Sequence, residues 1–416
     1  MPTRRTVMAL AGASALAAGL NQFGGAALAQ GAQGPLFMVG GNFRLDNEAL
    51  WRRYVELAGG PGARIAIMPT AAANPTRSGD QVAAQLRKMG ADPFVVPIAP
   101  RLKDVDPKKN AADPAIAEQV RAAGGVYFVG GNQDRITSSL LTEDGKDTAV
   151  LAAIRAVRTK GGVIGGSSAG AAIMSRDMFK DPPPILEVMK AGIVPGKTVD
   201  RGLDFMEAGW FVDQHFLVRG RFARTLVAME ALGYKKAVGV DENTAVIVRD
   251  GKLEVAGYKG ALVIDLTDAK RDPAIKDFNL TGVRLTYLDR GDSYEMATAK
   301  LIPAPEKKDA INPSAADYKP YFTDKEFQGN ILGNTAVVDL MANLIDNAQP
   351  EVIGLAYSAA PDVKEPEKGF AFRFYKDKDS IGYYTGAFGG EDYTVANIRL
   401  DVMPARIKVP VYELVR

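Results

Sequence analysis

The sequence contains no cysteine and only one histidine. The first absence excludes disulfide bonds, a thiol nucleophile and a metal site built from thiolates. The second argues against a zinc site built from several histidines. Any reaction that needs an imidazole base must therefore use His215, which lies in the string Asp213-Gln214-His215-Phe216.

Net charge is also nearly absent, at +2 for the whole chain. Removal of residues 1–29 takes away two arginines and no acidic residue, which leaves 49 basic and 49 acidic residues. A neutral protein has no general attraction for nucleic acid or anionic lipid, so recognition of a charged substrate must be local. The length of 416 residues suffices for two domains, or for one large domain with an appendage.

The first 29 residues have the pattern of an export signal. Arg4 and Arg5 precede an apolar run from Val7 to Leu20, and Ala27-Leu28-Ala29 offers a cleavage site. The paired arginines favour the twin-arginine route, hence a periplasmic or extracellular protein with no stable membrane anchor after cleavage. The alternative is a single N-terminal membrane anchor, although the run is weak for a span of about 20 strongly apolar residues.

Apolar strands alternate with helices as far as Val240. This alternation predicts an α/β fold with a mostly parallel sheet enclosed by helices, in which ligands lie beyond the carboxyl ends of the strands. The predicted strands are Leu36–Val39, Arg64–Met68, Phe94–Ile98, Val126–Val129, Gly162–Ile164, Trp210–Val212 and Ala237–Val240. The predicted helices are Asn47–Leu57, Ser78–Met89, Asp113–Ala123, Thr148–Lys160 and Gly220–Leu232.

After Val240 the pattern changes to short strands joined by tight turns, which we expect to form an antiparallel edge of the same sheet. These strands are Ala245–Val248, Lys252–Val255, Ala261–Leu266 and Val283–Leu288. A catalytic domain over residues 35–300 would end there. Residues 301–320 are rich in proline and charge, as in a linker. Residues 321–416 would form a small α+β extension of unknown role, with a helix at Asn334–Asn347 and paired strands at Phe370–Tyr375 and Ile381–Thr385.

The string Gly166-Ser167-Ser168-Ala169-Gly170 has the G-x-S-x-G pattern of a nucleophile elbow between a strand and a helix. Small residues are needed there because the turn is strained and closely packed. Ser168 is the preferred nucleophile, because Ser167 lacks a glycine two residues further on. The alternative is a turn that only caps a helix or binds an anion.

A nucleophilic serine needs a base, and the imidazole in turn needs a group that fixes its tautomer. His215 follows a predicted strand as Ser168 does, so both are expected at one edge of the sheet. Asp213, Asp241 and Glu242 are the candidate carboxylates, and spacing alone leaves that choice open. The turn Gly130-Gly131-Asn132-Gln133 also follows a strand and is either a substrate contact or a simple turn.

From about Leu36 to about Thr298 the chain resembles peptidase family S51, and within it the cyanophycinases. The matching strings are Phe-Met-Val-Gly-Gly near residue 38, Ile-Ala-Ile-Met-Pro near 67, Phe-Val-Gly-Gly-Asn-Gln at 128–133, Gly-Gly-Ser-Ser-Ala-Gly-Ala at 165–171, Asp-Gln-His-Phe at 213–216, Arg-x-Arg-x-x-Arg at 219–224 and Gly-Val-Asp-Glu-Asn-Thr-Ala at 239–245. The segment beyond about Pro303 has no counterpart in the compact core of the family.

The resemblance implies a fold similar to class I glutamine amidotransferase domains, usually as a homodimer, and a serine peptidase that needs no cofactor or metal. It assigns Ser168 as nucleophile, His215 as base and Glu242 as the third member. Backbone N–H groups of Gly131 and Ala169 would form the oxyanion hole. The substrate-binding positions would be Gln133, Asp213, Gln214, Arg219, Arg221 and Arg224.

The arginines suit a substrate rich in aspartate, because a guanidinium binds a carboxylate through two parallel hydrogen bonds. Arg221 and Arg224 are three residues apart and so share a helix face. Asp213 could attract a cationic group of the substrate or hold the arginines in order. The alternative is a purely structural role, in which the arginines pair with acidic residues at the surface.

Three functions remain in competition. The first is a secreted exopeptidase that cleaves multi-L-arginyl-poly-L-aspartate to β-Asp-Arg dipeptides, as the cyanophycinases do. The second is an aspartyl or isoaspartyl dipeptidase, as in the related dipeptidase E. The third is a periplasmic binding protein for acidic peptides that has lost turnover. The intact serine, histidine and glutamate strings favour the first two.

Overall fold

The centre of the fold is formed by two β-sheets. The computed structural model describes residues 33–358, 364–387, 392–411 and 413–415, so the export signal predicted over residues 1–29 lies outside the described residues. The strands are β1 Leu36–Val39, β2 Arg64–Met68, β3 Asp92–Val95, β4 Gly125–Phe128, β5 Val163–Ser167, β6 Asp177–Phe179, β7 Val199–Arg201, β8 Trp210–Gln214, β9 Lys236–Val240, β10 Thr244–Arg249, β11 Lys252–Gly257, β12 Ala261–Asp265, β13 Leu280–Leu288, β14 Ser293–Glu295, β15 Lys300–Ile302, β16 Asp309–Ile311, β17 Glu351–Ala356, β18 Lys368–Tyr375, β19 Ile381–Thr385 and β20 Asp392–Arg406.

Helices pack against these sheets. They are α1 Glu48–Leu57, α2 Pro75–Lys88, α3 Pro107–Ala112, α4 Pro114–Arg121, α5 Gln133–Leu140, α6 Ala149–Thr159, α7 Ala169–Ala172, α8 Ile185–Ala191, α9 Phe222–Leu232 and α10 Ala336–Ile345. Side chains of α1 and α2 share a buried cluster with one face of the first sheet, and those of α8, α9 and α10 share another with the second sheet. None of the helices among the described residues has the length and apolarity that a membrane span requires.

The first sheet has the strand order β15-β14-β11-β10-β1-β5-β4-β2-β3. The neighbours from β1 to β3 are parallel, whereas those from β1 to β15 are antiparallel. The prediction of a mostly parallel sheet is therefore wrong, since the sheet is mixed. The hairpin of β10 and β11 adds an antiparallel edge to β1, as expected, but β8, β9, β12 and β13 belong to the second sheet and not to this one. Hydrophobic alternation predicts that these strands are buried and does not indicate which sheet they join.

The second sheet has the order β16-β19-β20-β13-β12-β9-β8, with β18 also on β20 and β17 on β18. Its only parallel pair among the described residues is β8 with β9. The strand before His215 thus lies in a different sheet from the strand before Ser168. Residues Asp241 to Asn243 lead directly from β9 in the second sheet to β10 in the first, so the chain passes between the two sheets at this turn.

The segment predicted as a linker, residues 301–320, is built into the fold. It contains β16, which pairs with β19, and Lys307, which is only 3% exposed. The ammonium group of Lys307 lies 3.0 Å from Asp289 and 3.2 Å from Asp292, and donates a hydrogen bond to Thr394. Strand β20 pairs with β13, so residues 321–416 extend the second sheet.

Helix α5 was not predicted from the sequence, and it bears on the site. Helix α5 begins directly after the Gly130-Gly131 turn, and its N-cap Asn132 accepts a hydrogen bond from the backbone N–H of Asp134. The turn is therefore the entry to a helix, which fixes the position of Gln133 in its first turn.

Candidate active site

Ser168 occupies a strained turn between β5 and α7. Its φ of 54° and ψ of −108° lie in a region that side-chain-bearing residues rarely adopt, at a cost of about 1–3 kcal/mol. The backbone N–H of Ser168 donates to the carbonyl oxygen of Val39 at 3.0 Å, which ties the turn to β1. A Cβ on Gly166 would lie 2.7 Å from the Cα of Gly170, so the elbow requires a glycine at residue 166.

His215 lies directly against this serine. Its Nε2 is 2.9 Å from the Oγ of Ser168, and its side chain is 9% exposed. The residue follows β8 with a φ of 48°, and its backbone N–H donates to the carbonyl oxygen of Gly40 at 2.6 Å. The strained turn after β8 thus directs the imidazole across to the elbow of the other sheet.

Glu242 is the carboxylate that contacts the imidazole. Its Oε1 lies 2.6 Å from Nδ1 of His215, while its Oε2 accepts a hydrogen bond from the side chain of Asn42 at 3.3 Å. The other two candidates are engaged elsewhere. Asp241 is fully buried and accepts a hydrogen bond from the backbone of Val218, and Asp213 binds Arg224.

The electrostatics favour a neutral imidazole beside an ionised carboxylate. Burial lowers the pKa of His215, and the charges of Arg219 and Arg221 lower it further, against the opposing influence of Glu242. Burial raises the pKa of Glu242, but hydrogen bonds to His215 and Asn42 outweigh it and leave that pKa below its ordinary value. Nδ1–H of a neutral imidazole then donates to Glu242, so that Nε2 accepts the proton of Ser168.

Gly41 was not identified from the sequence as a site residue, yet it faces the imidazole directly. Its φ is 125°, and a Cβ built on it would lie 2.2 Å from Cε1 of His215. No other residue type leaves room for the ring in this position. The string Val-Gly-Gly at the end of β1 was the available signal, but only the fold brings it to His215.

A cleft of about 250 Å³ opens beside the serine and the histidine. We call it the cationic cleft, because four of its side chains are basic. It is lined by Gly131, Gln133, Ser168, Phe179, Lys180, Pro182, Gln214, His215, Arg219, Arg221 and Arg224. All six predicted substrate-binding residues except Asp213 line it. The backbone N–H groups of Gly131 and Ala169 have no hydrogen-bond acceptor among the described residues, as donors to an oxyanion require.

The three arginines differ in their exposure. The side chain of Arg224 is 7% exposed and lies over the ring of Phe179, with its guanidinium carbon 4.1 Å from the ring centre. Arg221 is also largely buried, donates to the carbonyl oxygen of Gln214 at 2.8 Å, and has its pKa lowered by burial to about 10. It therefore remains protonated at neutral pH. Arg219 is 51% exposed and lies at the rim.

Asp213 lies behind these arginines and outside the lining of the cleft. It is 2% exposed, and Nε and Nη2 of Arg224 donate to its two oxygens at 3.1 and 3.0 Å. Thr225 and the backbone N–H of Gln214 donate to the same carboxylate. The prediction that Asp213 contacts substrate does not match this position. Its acceptor sites are occupied, so it orders the arginines, which was the second role considered.

The segment formed by the end of β6 and the loop after it contributes three cleft residues that the sequence did not indicate. Phe179, Lys180 and Pro182 belong to it, and Gln133 holds it by donating to the carbonyl oxygen of Phe179 at 2.6 Å. Nζ of Lys180 lies 2.8 Å from Asp200 and 3.1 Å from Asp134, so its charge is already balanced. No motif marks these residues.

Within the described ranges, no group of three or more histidine or acidic side chains is arranged to hold a metal ion. The side-chain oxygen of Gln214 is buried in the cleft without a hydrogen-bond partner among the described residues. A buried acceptor of this kind is a position for a donor group of a ligand.

Known peptidases are similar in sequence to a large part of this chain. The model of peptidase family S51 matches residues 36–256, more than half of the chain. A cyanophycinase of Trichormus variabilis is 28% identical over 283 residues, covering 65% of this chain and 87% of its own length. A cyanophycinase of Geminocystis herdmanii is 30% identical over 276 residues, covering 63% and 93%. A solved peptidase from an acI-B1 actinobacterium is 19% identical with a TM-score of 0.47, covering 64% of this chain and 98% of its own. The chain belongs to peptidase family S51.

Proposed function

We propose that this chain is an exported serine exopeptidase that hydrolyses multi-L-arginyl-poly-L-aspartate to β-Asp-Arg dipeptides through an acyl-enzyme. The observation that carries the proposal is the continuous hydrogen-bonded path from Glu242 through His215 to Ser168, which opens on the cationic cleft. The names of the two relatives, both cyanophycinases, support the choice of substrate.

The proposed reaction is a two-step acyl transfer. Oγ of Ser168 attacks the scissile carbonyl while its proton passes to Nε2 of His215, and the carbonyl oxygen becomes an oxyanion that the N–H groups of Gly131 and Ala169 stabilise. The C–N bond then breaks as the imidazolium returns the proton to the leaving amine. Water, deprotonated by His215, hydrolyses the ester and frees Ser168.

The cleft supports attack near a chain end. Each unit of the polymer carries one free carboxylate, that of its arginine, and a C-terminal unit carries two. Arg221 and Arg224 are desolvated cations with fixed orientations. A charge-assisted hydrogen bond from such a group contributes about 1.5–3 kcal/mol, enough to select an acidic terminus. A volume of about 250 Å³ accommodates one terminal unit and no long internal segment.

The same small volume favours a second candidate, an aspartyl or isoaspartyl dipeptidase. Purified protein should be incubated separately with the polymer and with Asp-X and β-Asp-X dipeptides, and the products identified by mass spectrometry. Release of β-Asp-Arg from polymer supports the main proposal, and cleavage of the dipeptides alone supports the second. Ser168→Ala is the control, and it should bind but not cleave.

An acyl-enzyme also distinguishes catalysis from mere binding. Rapid quenching with the substrate in excess should yield a protein mass increased by one acyl group, absent in Ser168→Ala. A protein that binds acidic peptides tightly and releases no product from any of these substrates would instead support the binding-protein hypothesis.

Export by the twin-arginine route is part of the proposal and has its own test. In a host with that pathway, wild type should be recovered from the periplasm or medium, shortened near Ala29. The variant with Arg4→Lys and Arg5→Lys should stay in the cytoplasm at full length. The homodimer remains a prediction that light scattering of the purified protein tests directly.

A further inference from the structure

A second cavity, remote from the triad in the fold, lies on the part of the chain beyond the family match. It has a volume of about 300 Å³ and is lined by Asp309, Ile311, Tyr321, Asp346, Tyr384 and Tyr393. We call it the tyrosine–aspartate pocket. The family model ends at residue 256, so no part of this pocket belongs to the matched region.

One wall of the pocket is a row of side chains across three neighbouring strands. Asp309 of β16 is the direct partner of Tyr384 on β19, and Tyr384 is the direct partner of Tyr393 on β20. Directly paired residues of antiparallel strands project on the same side of a sheet. The two tyrosine rings have their centres 5.2 Å apart. Ile311, two residues after Asp309, lies on the same side and supplies an apolar surface.

The opposite wall is formed where α10 ends. Asp346 is the C-cap of that helix, and its Oδ1 accepts a hydrogen bond from the backbone N–H of Tyr321 at 3.1 Å. Tyr321 and Asp346 both line the pocket, and Tyr321 is 72% exposed. A tyrosine open to solvent in this pocket is available to a ligand.

The two carboxylates of the pocket make no direct ion pair within the described part of the chain. Neither Asp309 nor Asp346 forms an ion pair within 4.0 Å with any lysine or arginine of the described residues. Lys376 is the cation whose charge acts on Asp346, but its Nζ donates to the carbonyl oxygen of Asn347 and lies 5.7 Å from the ring of Tyr318. Two carboxylates among tyrosine rings suit an arginine side chain, which is a planar cation on an apolar stem. The carboxylates accept hydrogen bonds from the guanidinium group, and the faces of the aromatic rings attract its positive charge.

We propose that the tyrosine–aspartate pocket binds the arginyl side chain of the polymeric substrate, at a distance from the bond being cleaved. This rests on the proposed function, since every unit of that polymer presents a guanidinium. A second anchor converts each later encounter with the cationic cleft into an intramolecular one, which raises affinity for polymer without changing the chemistry. Short substrates, which cannot reach both places, gain nothing.

Binding is tested in the Ser168→Ala background, where polymer persists. The pocket variant combines Asp309→Asn with Tyr321→Ala. The control variant combines Asp317→Asn with Phe327→Ala, which changes an exposed acid and a 65% exposed aromatic outside the pocket. The probes are soluble polymer, Nα-acetyl-arginine methylamide and Nα-acetyl-lysine methylamide, followed by calorimetry and by ligand NMR.

We expect the pocket variant to lose about tenfold in affinity for polymer, equivalent to one lost ion pair with its ring contact, while the control variant matches its parent. The arginine probe should bind the parent more tightly than the lysine probe does, and this preference should vanish in the pocket variant. Equal affinities in the two variants, or equal binding of the two probes by the parent, would overturn the proposal.

Kinetics in the active enzyme separate this inference from the proposed function. The pocket variant should raise KM for long polymer about tenfold and leave kcat, as well as cleavage of two-unit oligomers, unchanged. An unaltered KM for polymer contradicts the inference even though hydrolysis itself is intact. If wild type releases no dipeptide, the proposed function fails, and the two amino-acid probes still report whether the pocket prefers a guanidinium.

Discussion

Replacing Gly41 by alanine should disable the site while leaving the fold intact. The new Cβ would lie 2.2 Å from Cε1 of His215, whereas ordinary contacts begin at 3.4 Å, so the ring must retreat by about 1.2 Å. Its contacts to Ser168 and Glu242, at 2.9 and 2.6 Å, cannot both survive that shift. Misplacing a reacting group by about 1 Å costs on the order of 10²-fold in rate, and we expect at least that loss in kcat.

Gly59→Ala is the matched control. Gly59 has a φ of 117°, close to the 125° of Gly41, but a Cβ there would meet nothing nearer than 3.8 Å. Both variants therefore bear similar backbone strain, and Gly41→Ala should lower the unfolding temperature further only by the cost of its contact with His215. Only Gly41→Ala should lose activity. His215 is the single histidine, so its ring protons give an unambiguous NMR signal in untagged protein. An unchanged histidine signal together with wild-type turnover in Gly41→Ala would refute the reasoning.

Three further predictions follow from the site and its supports. Because the base is the neutral imidazole and the pKa of His215 is lowered, kcat/KM should rise with pH through an apparent pKa below 6.5. Glu242→Gln removes the carboxylate that raises this pKa, so NMR titration of the variant should give a lower pKa for His215. The same variant should lose about 10²–10⁴-fold in rate. A midpoint above 6.5 in wild type would contradict the charge balance. Arg221→Ala should raise KM for acidic substrates about 10–100-fold and leave KM for uncharged analogues nearly unaffected. Arg219 is half-exposed, so Arg219→Ala should have a smaller effect. Equal losses on both substrate types would contradict the proposal that Arg221 binds a substrate carboxylate. Lys307→Met leaves Asp289 and Asp292 buried without their cation, so denaturant unfolding should show a free energy of unfolding lower by about 3–5 kcal/mol. The exposed Lys308→Met should change it very little. Similar stabilities of the two variants would mean that the cluster around Lys307 does not hold the C-terminal segment.

The chemistry of the site could be predicted from the sequence because its constraints are local. An elbow needs small residues next to the nucleophile, and a chain with one histidine offers one imidazole. Both features are visible in the sequence whatever the arrangement of the strands. The pair of Ser168 and His215 could therefore be identified before the topology was known.

The arrangement of the strands was not predictable in the same way. Hydrophobic alternation shows that a strand is buried, and it carries no information about the sheet to which the strand belongs. The strands before Ser168 and before His215 were expected in one parallel sheet, but β5 and β8 lie in different sheets. The choice among Asp213, Asp241 and Glu242 depends on how the turn after β9 passes between those sheets. Spacing along the chain therefore left it open.

Strained turns at the strand ends explain how two separate sheets share one site. Asn42, Ser168, His215 and Asn243 all have positive φ values, between 44° and 54°. Each such residue costs about 1–3 kcal/mol unless its side chain or neighbours compensate. Here they do: the backbone of Ser168 donates to Val39, that of His215 to Gly40, and that of Asn243 to the carbonyl oxygen of Gly41. These three hydrogen bonds join the elbow, the base and the turn that carries Glu242 to the single strand end Val39 to Gly41. Because one short segment fixes all three side chains, a change at Gly41 should disturb them together, whereas a change elsewhere in either sheet should leave their mutual distances intact.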